Sequence, residues 1–146
     1  MRFLSIVVAS VLGSMGGVFA DENSRELFSF TTPTDSRQWQ PVNDGVMGGR
    51  SVGQFEITND ETMKFFGTLS LKNNGGFASV RSRASKLNLT KGDQLVMRVR
   101  GDGRNYTFNL YVPTRRIAFS YREEFETKKD EWVEVVLPLE QFKATS

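Results

Sequence analysis

The 146-residue sequence contains no cysteine and no histidine. Without cysteine, neither a disulfide framework nor a thiolate metal site can form, so a hydrophobic core alone must hold the fold. Without histidine, the chain cannot contain a Ser-His-Asp triad, a histidine-ligated zinc ion or a histidine pH switch. The Asp-x-Asp run of calcium loops is also missing. The sequence therefore predicts a protein without catalytic residues, metal sites or cofactors.

The sequence also has little excess of one charge over the other, because 19 basic residues nearly balance 17 acidic ones and leave a net charge of +2. This balance gives no indication of a nucleic-acid partner. The acidic residues Glu123, Glu124 and Glu126 precede a charged run at residues 128–131. We interpret the whole stretch as a solvated loop and not as the paired carboxylates of a glycosidase.

The N-terminus has the pattern of a secretory signal peptide. Arg2 supplies a positive charge, residues 3–12 are mostly apolar, and Val18-Phe19-Ala20 offers a small-residue cleavage site. The apolar run is shorter than a membrane span needs, so we expect membrane contact by association only. We predict a signal peptide at residues 1–20, a flexible lead-in at 21–27 and one domain at 28–146. The protein is expected to be exported to the periplasm or the cell exterior, and a mitochondrial address is less favoured.

Short segments of alternating apolar and polar residues fill the remainder of the chain, which is typical of half-buried strands. Twelve Phe, three Tyr and two Trp can supply the core. About seven or eight such segments predict an all-β fold of the β-sandwich or jelly-roll type. Two hairpins are expected, one between Phe55-x-Ile57 and the run from Met63, and one around Asp102-Gly103. Further strands are predicted from Phe28, at 77–83, at 117–121 and at 132–139.

The most unusual segment runs from Trp39 to Ser51 and combines an Asn-Asp pair with three glycines. Glycines permit positive φ angles or close approach, and Asn and Asp bond their own backbone in turns. The segment is either a tight crossover between strands or a binding loop, and the sequence leaves both interpretations open. A second glycine pair, Gly75-Gly76, precedes a strand that carries Arg81. Arg81 and Arg83 share one face of that strand, and Arg98 and Arg100 share a face of another. If the two strands lie together, these four arginines would line a surface for carboxylates, phosphates or sugar hydroxyls, with plain solvation as the alternative.

Several ordered motifs resemble the NADH:ubiquinone oxidoreductase intermediate-associated protein 30 family. They lie at Trp39, residues 42–49, Ser51, residues 66–67, 69–71, 74–81 and 98–104, and Tyr106. The resemblance covers residues 28–142 and implies a galactose-binding-like jelly roll without catalytic residues. Mitochondrial members of the family assist assembly of respiratory complex I. Members usually continue past the strand at residues 132–139, so it stays open whether this domain is complete or lacks its last strands.

Two functions follow as hypotheses. The first is a non-catalytic protein-binding module of assembly-factor type, and the second is a carbohydrate-binding module in which Trp39, Tyr106 and Tyr111 would stack on a polysaccharide. A coplanar pair of exposed aromatic rings would favour sugar, whereas buried aromatic rings beside an exposed apolar or arginine-rich patch would favour a protein partner. The candidate binding residues are Trp39, Asn43, Asp44, Met47, Arg81, Arg98, Arg100, Arg104 and Tyr106. The structural loop glycines are Gly45, Gly48, Gly49, Gly75, Gly76, Gly101 and Gly103.

Overall fold

A computed structural model describes residues 2–7, 24–112 and 120–145. The described residues form antiparallel strands joined by short 3-10 helices, which confirms the predicted all-β class. The galactose-binding-like type of sandwich stays a prediction. The described residues divide into two compact units, the first made of residues 2–7 and 29–83 and the second of residues 24–28, 84–112 and 120–145.

The first unit contains five strands. They are β1 (Arg2–Val7), β2 (Trp39–Asn43), β3 (Val52–Ile57), β4 (Met63–Thr68) and β5 (Ala78–Ser82). Strand β4 pairs with β3 on one side and with β1 on the other, and β2 pairs with β5. The 3-10 helices of this unit are Pro33–Gln38, Asp44–Met47 and Lys72–Asn74.

The predicted hairpin between β3 and β4 is confirmed. Thr58 and Thr62 close its turn through a backbone hydrogen bond of 2.8 Å, and their hydroxyl groups are 2.7 Å apart. Glu61 takes a positive φ of 57° between them. The alternation of Phe55 and Ile57 predicts the strand, and the short connection to the run from Met63 predicts its partner.

Strand β1 falls on the segment that the sequence assigns to a signal peptide. Its backbone pairs with β4 from Arg2 opposite Gly67 to Ile6 opposite Met63. The predicted cleavage site at residues 18–20 and residues 21–23 of the lead-in lie outside the described residues. Arg25, at the end of the lead-in, donates hydrogen bonds to the carbonyl groups of Leu87 and Asn88.

The second unit contains the other five strands. They are β6 (Gln94–Arg100), β7 (Asn105–Tyr111), β8 (Ser120–Glu126), β9 (Trp132–Pro138) and β10 (Lys143–Thr145), with a 3-10 helix at Leu139–Gln141. Strands β6 and β9 pair with each other, and β8 lies between β7 and β10. The side chains of Leu95, Met97 and Val99 alternate along β6 and are buried, as the period of two predicted.

The prediction of a hairpin around Asp102-Gly103 is wrong. Gly103 does take the positive φ of a turn residue, 87°, but β6 pairs with β9 and β7 pairs with β8. The side chain of Thr127 holds the turn. The backbone N–H of Gly103 donates to Thr127 Oγ1, and that hydroxyl donates to the carbonyl of Arg104. A turn motif fixes the local backbone, whereas packing of side chains selects the partner strand.

Three other sequence predictions need correction. Glu123, Glu124 and Glu126 lie in β8, since Phe125 is buried and anchors a strand whose other side chains are mostly polar. No strand forms at Phe28, although Phe30 is buried. The segment from Trp39 begins as strand β2 and becomes irregular only at Asp44. Residues 117–119 of another predicted strand lie outside the described residues.

Within the described ranges, the structure contains no helix with the length and apolar composition needed to cross a bilayer.

A methionine pair tests the core of the first unit. Met63 is 1% exposed, whereas Met47 is 65% exposed. We expect Met63→Ala to lower the free energy of unfolding by about 2–5 kcal/mol, because it removes buried contacts and leaves a cavity. Met47→Ala, the matched control, should change it by less than about 0.5 kcal/mol. Urea denaturation of both variants measures the difference, and equal losses would contradict the burial described here.

Candidate binding site

The glycine-rich segment is organised around the carboxylate of Asp44, whose side chain is 0% exposed. Ser51 donates to it twice, from its backbone N–H at 2.8 Å and from its hydroxyl at 2.6 Å. The backbone N–H of Gly76 donates to Oδ2 at 2.6 Å. One carboxylate therefore ties together the 3-10 helix at Asp44–Met47, the start of β3 and the glycine pair before β5.

These hydrogen bonds determine the charge state of the carboxyl group. The hydroxyl of Ser51 lowers the pKa of Asp44 most, burial opposes it by raising the pKa, and the N–H groups of Gly76 and Ser51 lower it further. The net effect is a pKa below the ordinary value of 3.8. Asp44 is thus an anion inside the protein, which stabilises the loop because every donor around it points at the charge.

Further hydrogen bonds extend this network. Ser51 Oγ accepts from the backbone N–H of Ser70 at 3.0 Å. Asn43 bonds both backbone groups of Gly53, donating to its carbonyl and accepting from its N–H. Asn73 Nδ2 donates to the carbonyl of Gly48 at 3.1 Å. The segment at residues 43–53 and the segment at residues 70–76 are therefore locked to each other.

Two glycines are required by the close approach of this carboxylate. A Cβ atom at Gly49 would overlap the carboxyl carbon of Asp44, and a Cβ atom at Gly75 would overlap Oδ2. Of the other predicted loop glycines, Gly48, Gly76 and Gly103 have positive φ angles, Gly101 packs against Thr127, and Gly45 has open space around its Cα. The sequence thus identified the glycines, while the group that approaches them is the protein's own Asp44.

The locked segments present apolar side chains to solvent. Their exposed fractions are 65% for Met47, 50% for Val52, 50% for Leu69 and 84% for Leu71. Val52 pairs with Thr68, the residue before Leu69. Asn73 bonds the carbonyl of Gly48, so the segment of Leu71 also lies beside the segment of Met47. We call Met47, Val52, Leu69 and Leu71 the apolar patch. Exposed apolar side chains on neighbouring segments are a feature of interaction surfaces.

The aromatic candidates are engaged within the protein. Trp39 is half-buried, and its ring centroid is 5.8 Å from that of buried Phe30. Tyr106 stacks on Phe125 at 6.0 Å, and its hydroxyl donates to Asp102 Oδ1 at 2.9 Å. These contacts stabilise the fold and leave neither ring as an exposed platform.

Tyr111 is 51% exposed, and Tyr121 is also exposed. Tyr121 lies opposite Leu110 in the β7–β8 register, so alternation places Tyr111 and Tyr121 on opposite faces of the sheet. Side chains on opposite faces cannot form one coplanar surface.

The arginine candidates occur in both units. Arg81 lies on β5 in the first unit, and its Nε donates to Ser79 Oγ at 3.2 Å. Arg98 and Arg100 lie on β6 in the second unit, each over the ring of Trp132. Arg104 forms an ion pair with Asp102, with 3.8 Å between Nε and Oδ2.

Sequence reasoning missed several residues of these sites. Alternation in the run from Met63 predicts a strand that continues through Leu69 to Leu71, but β4 ends at Thr68 and leaves both residues outside it. The sequence gives no partner for Ser51, and it identifies Trp132 only as the start of a strand. Among the described residues, no group of three or more acidic side chains is placed to hold a metal ion.

Comparison with known proteins gave one informative result. Residues 28–146 match the model of a protein family described as Complex I intermediate-associated protein 30 (CIA30). A search of curated proteins found no match, and neither did a search of solved structures.

Substitution of two loop glycines tests the close packing around the carboxylate. We expect Gly49→Ala to lower the free energy of unfolding by about 1–3 kcal/mol, because the added methyl group collides with a side chain that three hydrogen bonds hold in place. Gly45→Ala is the matched control and should change it by less than about 0.5 kcal/mol, since nothing lies within 4 Å of the added atom. Thermal denaturation compares the two, and equal stability of both variants would contradict the packing.

The depressed pKa of Asp44 predicts how stability depends on pH. A carboxyl group with a lower pKa in the folded state stabilises the protein above its unfolded-state pKa, near 3.8, and this contribution is lost as the pH falls through the folded-state pKa. Asp44→Asn should therefore be less stable than the parent protein at pH 7, and the difference should shrink below pH 3.8. Chemical denaturation from pH 7 to pH 2.5 measures it, and a difference that stays constant across this range would refute the assignment.

Proposed function

The chain belongs to the complex I intermediate-associated protein 30 family, and from this membership we propose that it is a non-catalytic protein-binding module of assembly-factor type. The family name relates the chain to the assembly of complex I. The proposal goes further in assigning the contact with a partner to the apolar patch of Met47, Val52, Leu69 and Leu71.

The observation that carries the proposal is the exposure of these side chains on segments that are otherwise tied down. Leu71 alone is 84% exposed, while Asp44, three residues from Met47, is fully buried. A segment whose backbone is already held in place loses little backbone conformational entropy on binding, so more of the free energy of burying its side chains contributes to affinity. Methionine adapts its shape to a partner and is enriched at protein interfaces.

The state of the aromatic rings supports a protein partner over a polysaccharide. Sugar recognition by a β-domain would use an exposed flat ring, but Trp39 packs on Phe30 and Tyr106 packs on Phe125. The exposed rings of Tyr111 and Tyr121 face in opposite directions. The polar side chains of the loop are also occupied, since Asn43 and Asp44 bond the backbone around them.

Export to the periplasm or the cell exterior is part of the proposal. It rests on the charge at Arg2, the apolar run that follows and the small-residue site at Val18-Phe19-Ala20. Cleavage after Ala20 would remove β1 and leave β3 as the partner of β4 in the first unit.

Site-directed photo-crosslinking tests the proposed surface. A photo-reactive phenylalanine analogue at Leu71 should give a discrete adduct with one protein in the native cell envelope. The adduct should disappear when Met47 and Leu69 are changed to serine, because the partner loses most of the apolar area that it buries. Gel mobility and mass spectrometry of the adduct provide the measurement.

The same analogue at Asp60 is the matched control, since this exposed residue lies at the other end of the β3–β4 hairpin. It should give no such adduct. Equal labelling from both positions, or recovery of polysaccharide with no protein adduct at Leu71, would contradict the proposal.

A further inference from the structure

One face of the β6–β9 pair carries an unusual arrangement of two arginines and a tryptophan. The guanidinium carbon of Arg98 is 5.4 Å from the ring centroid of Trp132, and that of Arg100 is 5.3 Å from the same centroid. Arg100 lies directly opposite Trp132 in the register, and Arg98 lies opposite Glu134. Cation–π contact with the ring therefore orients both guanidinium groups.

Both charges lack a counter-ion in the described part of the chain. The ion pairs there are Lys64 with Glu56, Arg104 with Asp102 and Lys128 with Glu131. Glu134 is the strand neighbour of Arg98, yet the two form no ion pair. Two like charges within 5.4 Å of one centroid repel each other, and an anion between or above them would remove that repulsion.

We propose that Arg98, Arg100 and Trp132 form a binding site for an extended acidic peptide segment of a partner protein. A cation–π contact with the indole ring does not use the N–H groups of a guanidinium group, so these can bind a carboxylate in bidentate fashion. Two residues along a strand advance by roughly 6.6 Å. Alternate positions of an extended peptide have the same backbone spacing as Arg98 and Arg100, so two acidic side chains at such positions can each reach one arginine.

The remainder of this face favours a peptide over an anionic membrane. Recognition of acidic lipids generally takes a cluster of about four to eight basic residues. Here this face of β6 and β9 carries two basic residues, Arg98 and Arg100, together with the acidic Glu134. Val136 follows on the same face, 44% exposed, and offers an apolar contact to a side chain two residues beyond the second carboxylate. Arginine and tryptophan are also the residue types most enriched at the energetic centres of protein interfaces.

Fluorescence anisotropy with the full chain tests the site. The probe is a labelled peptide of sequence Ser-Glu-Ser-Glu-Ser-Val-Ser, and the matched control peptide has glutamine in place of both glutamates. We expect saturable binding of the acidic peptide. The affinity for the glutamine peptide should be lower by a factor of roughly ten or more. The variant with Arg98→Gln and Arg100→Gln should lose binding to a similar extent.

Two further variants separate a built site from general charge. Arg98→Lys with Arg100→Lys keeps both charges but removes the planar, bidentate edge, so it should also weaken binding. Lys86→Gln with Lys91→Gln removes two exposed charges of the same unit and should leave binding unchanged. Far-ultraviolet circular dichroism confirms that each variant is folded. Met47→Ser with Leu71→Ser should bind the peptide normally, so failure here is distinguishable from failure of the apolar patch.

Three outcomes would overturn the proposal. Equal affinity for the glutamate and glutamine peptides would show that the carboxylates are not recognised. An equal loss in the Lys86 and Lys91 variant would show that net charge alone attracts the peptide. Binding of phosphatidylglycerol vesicles or of polygalacturonate, without binding of the acidic peptide, would assign the site to a lipid surface or to an acidic polysaccharide.

Discussion

A buried carboxylate is the constraint on which the rest of the first unit depends. Removing an ionised group from water is costly, and the cost is offset only when the group is fully hydrogen-bonded. Asp44 meets this condition through the backbone N–H groups of Ser51 and Gly76 and the hydroxyl of Ser51. Because Ser51 lies 7 residues and Gly76 lies 32 residues from Asp44, satisfying one charge brings three segments of the chain together.

The same constraint determines the composition of the loop. Backbone N–H groups can converge on a carboxylate only if the chain passes close to it, which leaves no room for side chains at Gly49 and Gly75. Polar atoms turn inward to meet one another, as Asn43 does with Gly53. The apolar side chains of these short segments then remain outside, and the rigidity of the network is what makes the apolar patch a defined surface.

Much of the fold followed from the sequence, because alternation reflects burial on one side of a strand. Phe55 with Ile57 and Leu95 with Met97 illustrate this. The prediction failed for β8, because Phe125 is the one buried apolar side chain of that strand and gives no alternation. It also failed where strand pairing depends on residues that are distant in sequence. The Asp102-Gly103 turn is of this second kind, since Thr127 fastens it and β9 takes the place expected for β7.

The candidate sites were predictable to a different degree. Glycine spacing marked the loop correctly, but the partner of Asp44 could not be derived, because Ser51, Ser70 and Gly76 meet only in three dimensions. The exposure of Leu71 is similarly a consequence of where β4 ends. Burial and pairing decide which residues of a motif remain available, and a one-dimensional pattern contains neither.

The arginines show how the same residue type acquires different roles from its surroundings. Arg104 has Asp102 beside it, and that carboxylate also accepts the hydroxyl of Tyr106, so the charge belongs to a local network. Arg98 and Arg100 instead contact an aromatic ring, which orients a guanidinium group without neutralising it. A carboxylate partner neutralises the charge of an arginine and occupies N–H groups along its edge, whereas a cation–π contact with an aromatic ring does neither. The β6–β9 face therefore retains the donors that recognition of an acidic partner requires.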